Sequence, residues 1–249
     1  MRNAAGGSLR SRGELAALAV DLDRTLISPE GKGLKSASQV LKDCQRMGLK
    51  VILASGREYN VLSAFADELR YVDAVVAENG AVIEAPAGSR VTVIGRATAA
   101  RVRRRLAGAP WANVECGEVV VSVPRSEGSK IATLLEGLGV YLVPNVDRVM
   151  ILPKGISKAS GVRSAIGRLH LESSAFAAVG DGENDIPLLR AATLSGAVRN
   201  ARPQVLACAD YVCRASFSAG VAEFVRGPVT DALRGRSSVG RRHVLREVD

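Results

Sequence analysis

Six consecutive apolar residues, 15–20, run directly into two carboxylates, Asp21 and Asp23, set two positions apart. An uninterrupted apolar run of this length reads as a strand buried on both faces, as in a parallel sheet with helices on either side. In open sheets of that kind, ligands bind outside the carboxyl ends of the strands. Side chains two apart on a strand point the same way, so Asp21 and Asp23 share one site if the strand geometry continues. Like charges held that close are costly unless a cation or a shared proton relieves them. The pair therefore asks for Mg²⁺ or for acid–base chemistry. The plain alternative is a strand that ends in a solvated acidic turn, with Thr25 as a helix cap.

The strand-then-polar pattern recurs. Residues 36–47 place Val40, Leu41, Cys44 and Met47 on one helical face and stop at Gly48. A second apolar strand, 50–54, ends in Ser55-Gly56-Arg57, and a helix follows over 59–69. A third strand, 74–77, ends in Glu78-Asn79-Gly80. This β-α-β-α-β rhythm predicts a parallel sheet with right-handed crossovers. From 85 to 154 the rhythm changes: strands near 91–94, 119–123, 141–143 and 148–152, with helices over 98–106 and 129–138, suit a small α+β insert. The first rhythm resumes with a helix over 157–169 and an apolar strand, 175–179, that runs into Gly180-Asp181-Gly182-Glu183-Asn184-Asp185. A helix over 186–191, short elements near Leu194, Val205 and Tyr211, and a last helix over 218–226 complete the body. The expected fold class is α/β: a Rossmann-like parallel-sheet core (14–84 and 155–230) with a smaller inserted α+β domain (85–154). A disordered tail rich in Gly, Ser and Arg (1–13) and a basic tail (231–249) flank it.

Three of these strands end in Asp21/Asp23, Ser55-Gly56-Arg57 and Asp181/Asp185, and in a parallel sheet those ends share one edge. Asp21, Asp23, Asp181 and Asp185, with Ser55 and a lysine, form a constellation far more specific than any one motif. Hard oxygen ligands without His or Cys select Mg²⁺, and Mg²⁺ beside a lysine and a serine suits a phosphoryl group. Four scattered cysteines and two distant histidines form neither a zinc site nor a disulfide framework. The net charge of +9 suits an anionic partner, either nucleic acid or a small substrate. Aromatic residues are only 4%, which leaves few stacking platforms and disfavours single-stranded nucleic acid. No apolar run approaches the roughly 20 residues that span a membrane. The short N-terminal run lacks a small-residue cleavage site and enters Asp21 directly, so it reads as the first core strand of a cytoplasmic protein.

The segments D-L-D-R-T-L, A-S-G-R, G-I-S-K and G-D-G-E-N-D-I-P-L-L, in this order, resemble the four motifs of haloacid dehalogenase-like phosphatases. The resemblance spans about residues 14–227. The insert is similar to the type-two α/β cap of that family, and Glu78-Asn79-Gly80-Ala81 matches a stretch common just before it. Within the family, the short body most resembles the archaeal-type phosphoglycolate phosphatase branch. Sucrose-phosphate and mannosyl-3-phosphoglycerate phosphatases are relatives. Arg24 departs from the pattern, which more often has Gly there.

The resemblance implies Asp21 as nucleophile, Asp23 as general acid and then base, and Ser55, Gly56 and Lys158 as the phosphoryl-binding groups. It further implies Mg²⁺ held by Asp21, Asp23 through its backbone carbonyl, Asp181 and Asp185. Asn184 is expected to orient Lys158 or a metal carboxylate. Asp185 has a rival role as a cap of the following helix. Lys154 rivals Lys158, but G-I-S-K puts Lys158 at a helix start, as the family does. Arg57 reads as a turn residue or a support rather than a ligand. The activity implied is hydrolysis of a small phosphorylated metabolite, 2-phosphoglycolate first, by a monomer or homodimer. Arg125 or Arg148 of the insert are candidates to meet the substrate carboxylate, though a solvated surface is the plainer place for both. The alternatives are a sugar-phosphate phosphatase or phosphomannomutase of the same superfamily, and a basic nucleic-acid-binding protein on a phosphatase fold.

Overall fold

The computed structural model describes residues 14–235, apart from 64, 66–69, 110, 111, 146 and 172. The expected tail at 1–13, most of that at 231–249, and part of the helix expected over 59–69 lie outside the described residues. The main sheet is built from β1 (Ala17–Val20), β2 (Lys50–Ala54), β3 (Ala74–Ala77), β4 (Val82–Glu84) and β5 (Thr92–Val93). An insert follows with β6 (Glu115–Cys116), β7 (Val121–Pro124), β8 (Val140–Asn145) and β9 (Arg148–Pro153). The main sheet then continues with β10 (Phe176–Gly180), β11 (Leu194–Ala197) and β12 (Tyr211–Val212). The helices are α1 (Leu34–Arg46), α2 (Tyr59–Ser63), α3 (Arg96–Leu106), α4 (Gly128–Leu134), α5 (Lys158–Arg168), α6 (Ile186–Ala191), α7 (Pro203–Cys208), α8 (Phe217–Phe224) and α9 (Thr230–Leu233).

The strand order is β12-β11-β10-β1-β2-β3-β4-β5. β1 lies between β10 and β2 and pairs in parallel with both. All four of its residues are fully buried. Its alanines keep the sheet faces thin, so the covering helices come close. Helix α1 supplies one such cover through Ala37, Val40, Leu41 and Cys44, and burial of Val40 and Leu41 contributes roughly 1.5–3 kcal/mol each. Because the chain moves from β1 to β2 on one side and returns to β10 on the other, the ends of β1 and β10 open onto the crevice where such folds bind ligands.

The sheet is parallel only from β12 to β3. β4 pairs antiparallel with β3, and β5 antiparallel with β4. This corrects the expected placement of the strand near 91–94 in the insert: Val93 pairs with Val82 at the edge of the main sheet. A two-residue strand has no period that says which sheet it joins. The insert's own sheet, in order β6-β7-β9-β8, is antiparallel. Val121, Val123, Val149 and Ile151 form a separate apolar cluster with Val102 and Leu106 of α3 and Ile131 of α4. The alternate residues Met150 and Leu152 of β9 pack into the main core instead. The period of two along β9 therefore gives the insert one face for its own helices and one for the crevice.

Candidate active site

Four parallel strands deliver side chains to one edge. Asp21 follows β1, and its N–H still bonds to Val179 of β10 at 3.1 Å. Ser55 and Arg57 follow β2, Glu78 and Asn79 follow β3, and Asp181 and Asp185 follow β10. Lys158 arrives from the opposite direction, at the first turn of α5. That start is fixed by a capping box: the Ser157 hydroxyl accepts from the Ser160 N–H at 3.3 Å, and the Ser160 hydroxyl accepts from the Ser157 N–H at 2.9 Å. The helix comes close to β3 because two glycines meet there. A Cβ on Gly161 would lie 2.7 Å from the Gly80 Cα, and one on Gly80 would lie 2.1 Å from the Ser157 carbonyl oxygen. Lys154, the rival lysine, is exposed.

The Lys158 ammonium is 1% exposed and donates to Asp21 Oδ1 and Asp185 Oδ1, both at 2.6 Å. Asp185 also accepts the Asp181 and Gly182 N–H groups on Oδ2, at 3.0 and 2.9 Å. Its carboxylate thus turns back on its own loop and makes no capping bond to α6. Asp21, Asp181 and Asp185 bring carboxylate oxygens within 4.8 Å of one another. Three buried carboxylates against the Lys158 ammonium and the partly exposed Arg24 guanidinium leave an excess of negative charge, and the donors are all hard oxygens. That set fits a divalent cation of the Mg²⁺ type.

The electrostatics agree. Burial first, then Asp185 and Asp181, hold the Asp21 carboxyl well above its ordinary range in spite of Lys158. Burial alone would lower the Lys158 ammonium, but Asp185 and Asp21 reverse this and raise it. Burial and then Asp185 push Asp181 from 3.8 up to about 6. Its stabilising contribution is therefore full below about 4 and is lost as pH rises through about 6. Ionised Asp181 costs on the order of 3 kcal/mol, which a bound cation would offset. We expect MgCl₂ to raise the Tm of chelator-treated protein more at pH 7.5 than at pH 5. An equal rise at both pH values would separate Asp181 from the cation.

A cavity of about 370 Å³ opens above this cluster, with Asp21, Asp23 and Asp181 in its wall and Asn145 and Met150 of the insert across from them. Gly56 lines it too; a Cβ there would come 3.2 Å from Met150 Cε. Ser55, Lys158 and Asp185 are not in the lining and form the layer behind it. Ser55 is fully buried, and its hydroxyl oxygen accepts the Arg57 N–H at 3.1 Å. Neither Arg125 nor Arg148 lines the cavity. Arg148 instead bonds to Ser122, to the Asn113 carbonyl and to Glu115. The guanidinium groups in the lining are those of Arg24, Arg57 and Arg202.

The partners of several site residues were not legible in the sequence, although Arg57 was read as a turn residue or a support. Arg57 holds Asp23 with a two-pronged fork, Nε to Oδ2 at 2.8 Å and Nη2 to Oδ1 at 2.6 Å. Arg24 has a left-handed backbone, φ 61°, and its Nε reaches Asp181 Oδ2 at 3.3 Å. A position with positive φ is natural for Gly, which accounts for the family preference from which Arg24 departs. The Thr25 hydroxyl donates to Asp181 Oδ1 at 3.2 Å rather than capping a helix. Asn184 was expected on Lys158 or a metal carboxylate. It donates instead to Asn79 Oδ1 at 2.9 Å, and Asn79 Nδ2 lies 2.9 Å from Met150 Sδ. Asn184 thus ties its loop to the turn after β3. In that turn Glu78 and Asn79 are both left-handed, at φ 48° and 53°. The buried Glu78 carboxylate accepts three N–H groups of the insert, from Glu118, Val119 and Val120, at 2.7–2.8 Å. The only advance signal was the match of residues 78–81 to a family stretch.

Residues 18–100 and 143–225 match the family of haloacid dehalogenase-like hydrolases, and the chain belongs to that family. The unmatched residues between fall largely in the insert. Within the family it is a phosphatase. Its sequence is 30% identical over 212 residues to a phosphoglycolate phosphatase of Archaeoglobus fulgidus, covering 83% of this chain and 94% of that one. It is 28% identical over 218 residues to a phosphoglycolate phosphatase of Methanothermobacter thermautotrophicus, covering 85% and 98%. Its fold is similar to the crystal structure of Thermoplasma acidophilum 0175, with a TM-score of 0.74 at 17% identity over 86% of this chain and 98% of that one. It is also similar to the subclass IIB sugar phosphatase BT4131, with a TM-score of 0.71 at 20% identity over 85% and 98%. No helix among the described residues is long and apolar enough to cross a membrane.

Proposed function

We propose that the protein is a Mg²⁺-dependent phosphomonoesterase that works through an aspartyl-phosphate on Asp21, and that its substrate is 2-phosphoglycolate. The observation that carries the reading is the buried cluster of Lys158, Asp21, Asp185 and Asp181 at the foot of a cavity with Asp23 in its wall. Asp21 attacks phosphorus, the ester P–O bond breaks, and the Asp23 carboxyl gives its proton to the leaving oxygen. The Asp23 carboxylate then takes a proton from water as that water attacks phosphorus. The bond to Asp21 breaks, inorganic phosphate leaves, and both residues regain their starting states. Ser55 and Gly56 hold phosphoryl oxygens, and Lys158 offsets the charge that builds on them. Mg²⁺ would be held by the carboxylates of Asp21, Asp181 and Asp185 and the backbone carbonyl of Asp23, and supplies positive charge against the transferring group. A non-catalytic nucleic-acid role has no use for three buried carboxylates with oxygens within 4.8 Å of one another.

The substrate reading is supported by the name of the relatives, at 23–30% identity, and by the guanidinium groups around the cavity, which favour a substrate with an anion besides its phosphate. The size of the cavity favours the second reading, a sugar phosphate, since 370 Å³ leaves room for a hexose. The deciding measurement is kcat/KM for 2-phosphoglycolate, glucose 6-phosphate, mannose 6-phosphate and sucrose 6-phosphate under one Mg²⁺ condition. We expect 2-phosphoglycolate to lead by tenfold or more, about 1.4 kcal/mol in the transition state, and chelation to abolish all turnover. A sugar phosphate that leads by that margin overturns the substrate and leaves the phosphatase standing.

A further inference from the structure

Of the three guanidinium groups in the cavity wall, Arg57 is the one held from every side. Its N–H donates to the Ser55 hydroxyl at 3.1 Å, and its carbonyl accepts the Glu78 N–H at 2.9 Å. Its guanidinium carbon lies 5.5 Å from the Phe65 ring centre. The fork onto Asp23 fixes its remaining freedom. Arg24 is engaged with Asp181, and Arg202 is exposed with no ion pair among the described residues.

A guanidinium carries five N–H donors in a rigid plane, and the fork onto Asp23 uses two of them. For Asp23 to act as acid, one prong of the fork opens so that the freed oxygen carries the proton, and when that proton passes to the departing ester oxygen, the ester oxygen is within hydrogen-bond distance of Asp23. The carbon attached to it is then beside the guanidinium that grips the same carboxylate. We propose that Arg57 is a specificity-determining residue whose remaining N–H donors bind a carboxylate carried on the carbon next to the ester oxygen. The inference rests on the phosphatase reading above and sharpens it: the preferred substrates are phosphate esters of 2-hydroxy acids. The planar fork suits such a carboxylate far better than the hydroxyls of a sugar. One residue thereby couples two things, the position of the proton donor and the identity of the leaving group.

Substrates that differ in one group separate the two roles. Ethyl phosphate needs the proton from Asp23 but has no carboxylate, and p-nitrophenyl phosphate departs without needing a proton. For the wild type with Mg²⁺ we expect kcat/KM for 2-phosphoglycolate to exceed that for ethyl phosphate at least 100-fold. In Arg57→Gln that ratio falls at least tenfold, mainly through a higher KM for 2-phosphoglycolate, while p-nitrophenyl phosphate turnover, which uses Asp23 only to activate water, falls less. Arg57→Lys, which keeps the charge without the fork, gives an intermediate ratio and serves if the first variant folds poorly. Arg202→Gln, at the arginine of the wall that has no ion pair among the described residues, lowers the ratio less than either Arg57 variant. A wild-type ratio retained in both Arg57 variants, or a drop confined to Arg202→Gln, overturns the inference and leaves the substrate reading intact. A wild type without preference for 2-phosphoglycolate over ethyl phosphate overturns both, and Mg²⁺-dependent p-nitrophenyl phosphate turnover then still marks a phosphatase.

Discussion

Asp21→Asn is expected to abolish turnover of every phosphate ester while the protein stays folded. The loss is at least about 10⁴-fold, roughly 5 kcal/mol in the barrier, because the amide cannot attack phosphorus and no neighbouring group replaces it. The effect on stability runs the other way. In the cation-free protein, burial and the other two carboxylates disfavour the Asp21 charge, and Lys158 keeps Asp185 at 2.6 Å when Asp21 is neutral. The variant should therefore melt at or above the wild-type temperature in chelator, the trade of stability for activity seen where a site concentrates like charge. The check is a Tm in EDTA beside a turnover assay in Mg²⁺. Normal turnover by a folded Asp21→Asn protein removes Asp21 from the role of nucleophile.

Lys158→Met is expected to have the opposite signature, with both activity and stability lost. The side chain is 1% exposed and is the cation that meets Asp21 and Asp185. Its removal leaves buried carboxylates without compensation, a loss of about 3–5 kcal/mol. In a chain of this size that lowers Tm by roughly 10 °C. Turnover should fall by about 10²–10³, the typical cost of one group that stabilises transition-state charge. Millimolar Mg²⁺ should recover part of the lost Tm and little of the lost rate, since a cation can neutralise the carboxylates without standing in for the ammonium. An unchanged Tm in EDTA would show that Lys158 is not the compensating charge.

The parts of this molecule that could be read from sequence are those with a local cause. The apolar run of β1, the glycine stop after α1 and the G-I-S-K capping sequence act within a few residues, so the core strands and the placement of Lys158 at a helix start followed directly. The pairings across the site did not. Arg57 finds Asp23 across 34 positions, Arg24 finds Asp181 across 157, and Asn184 finds Asn79 across 105. No periodicity encodes such partners; they depend on which loops the sheet order brings together. The antiparallel edge formed by β4 and β5 was missed for a related reason. Strands of three and two residues are too short to show an alternation, so their partner sheet is fixed only by the hairpin-like return from β3. The left-handed turn at Glu78 gave no warning because Glu, unlike Gly or Asn, is not a residue that advertises positive φ.

The Glu78 grip on Glu118, Val119 and Val120 sets a rule for building chimaeras. The insert has its own apolar cluster, so a relative's insert could be grafted onto this body as a preformed unit. The graft must still present three converging amide N–H groups to the body's carboxylate. It must also keep a residue without a side chain at 117, because a Cβ there would stand 2.8 Å from the Glu78 carboxylate. Position 117 and position 78 therefore act as a matched plug and socket, and compatibility between donor and host is decided there before any substrate-contacting residue is considered.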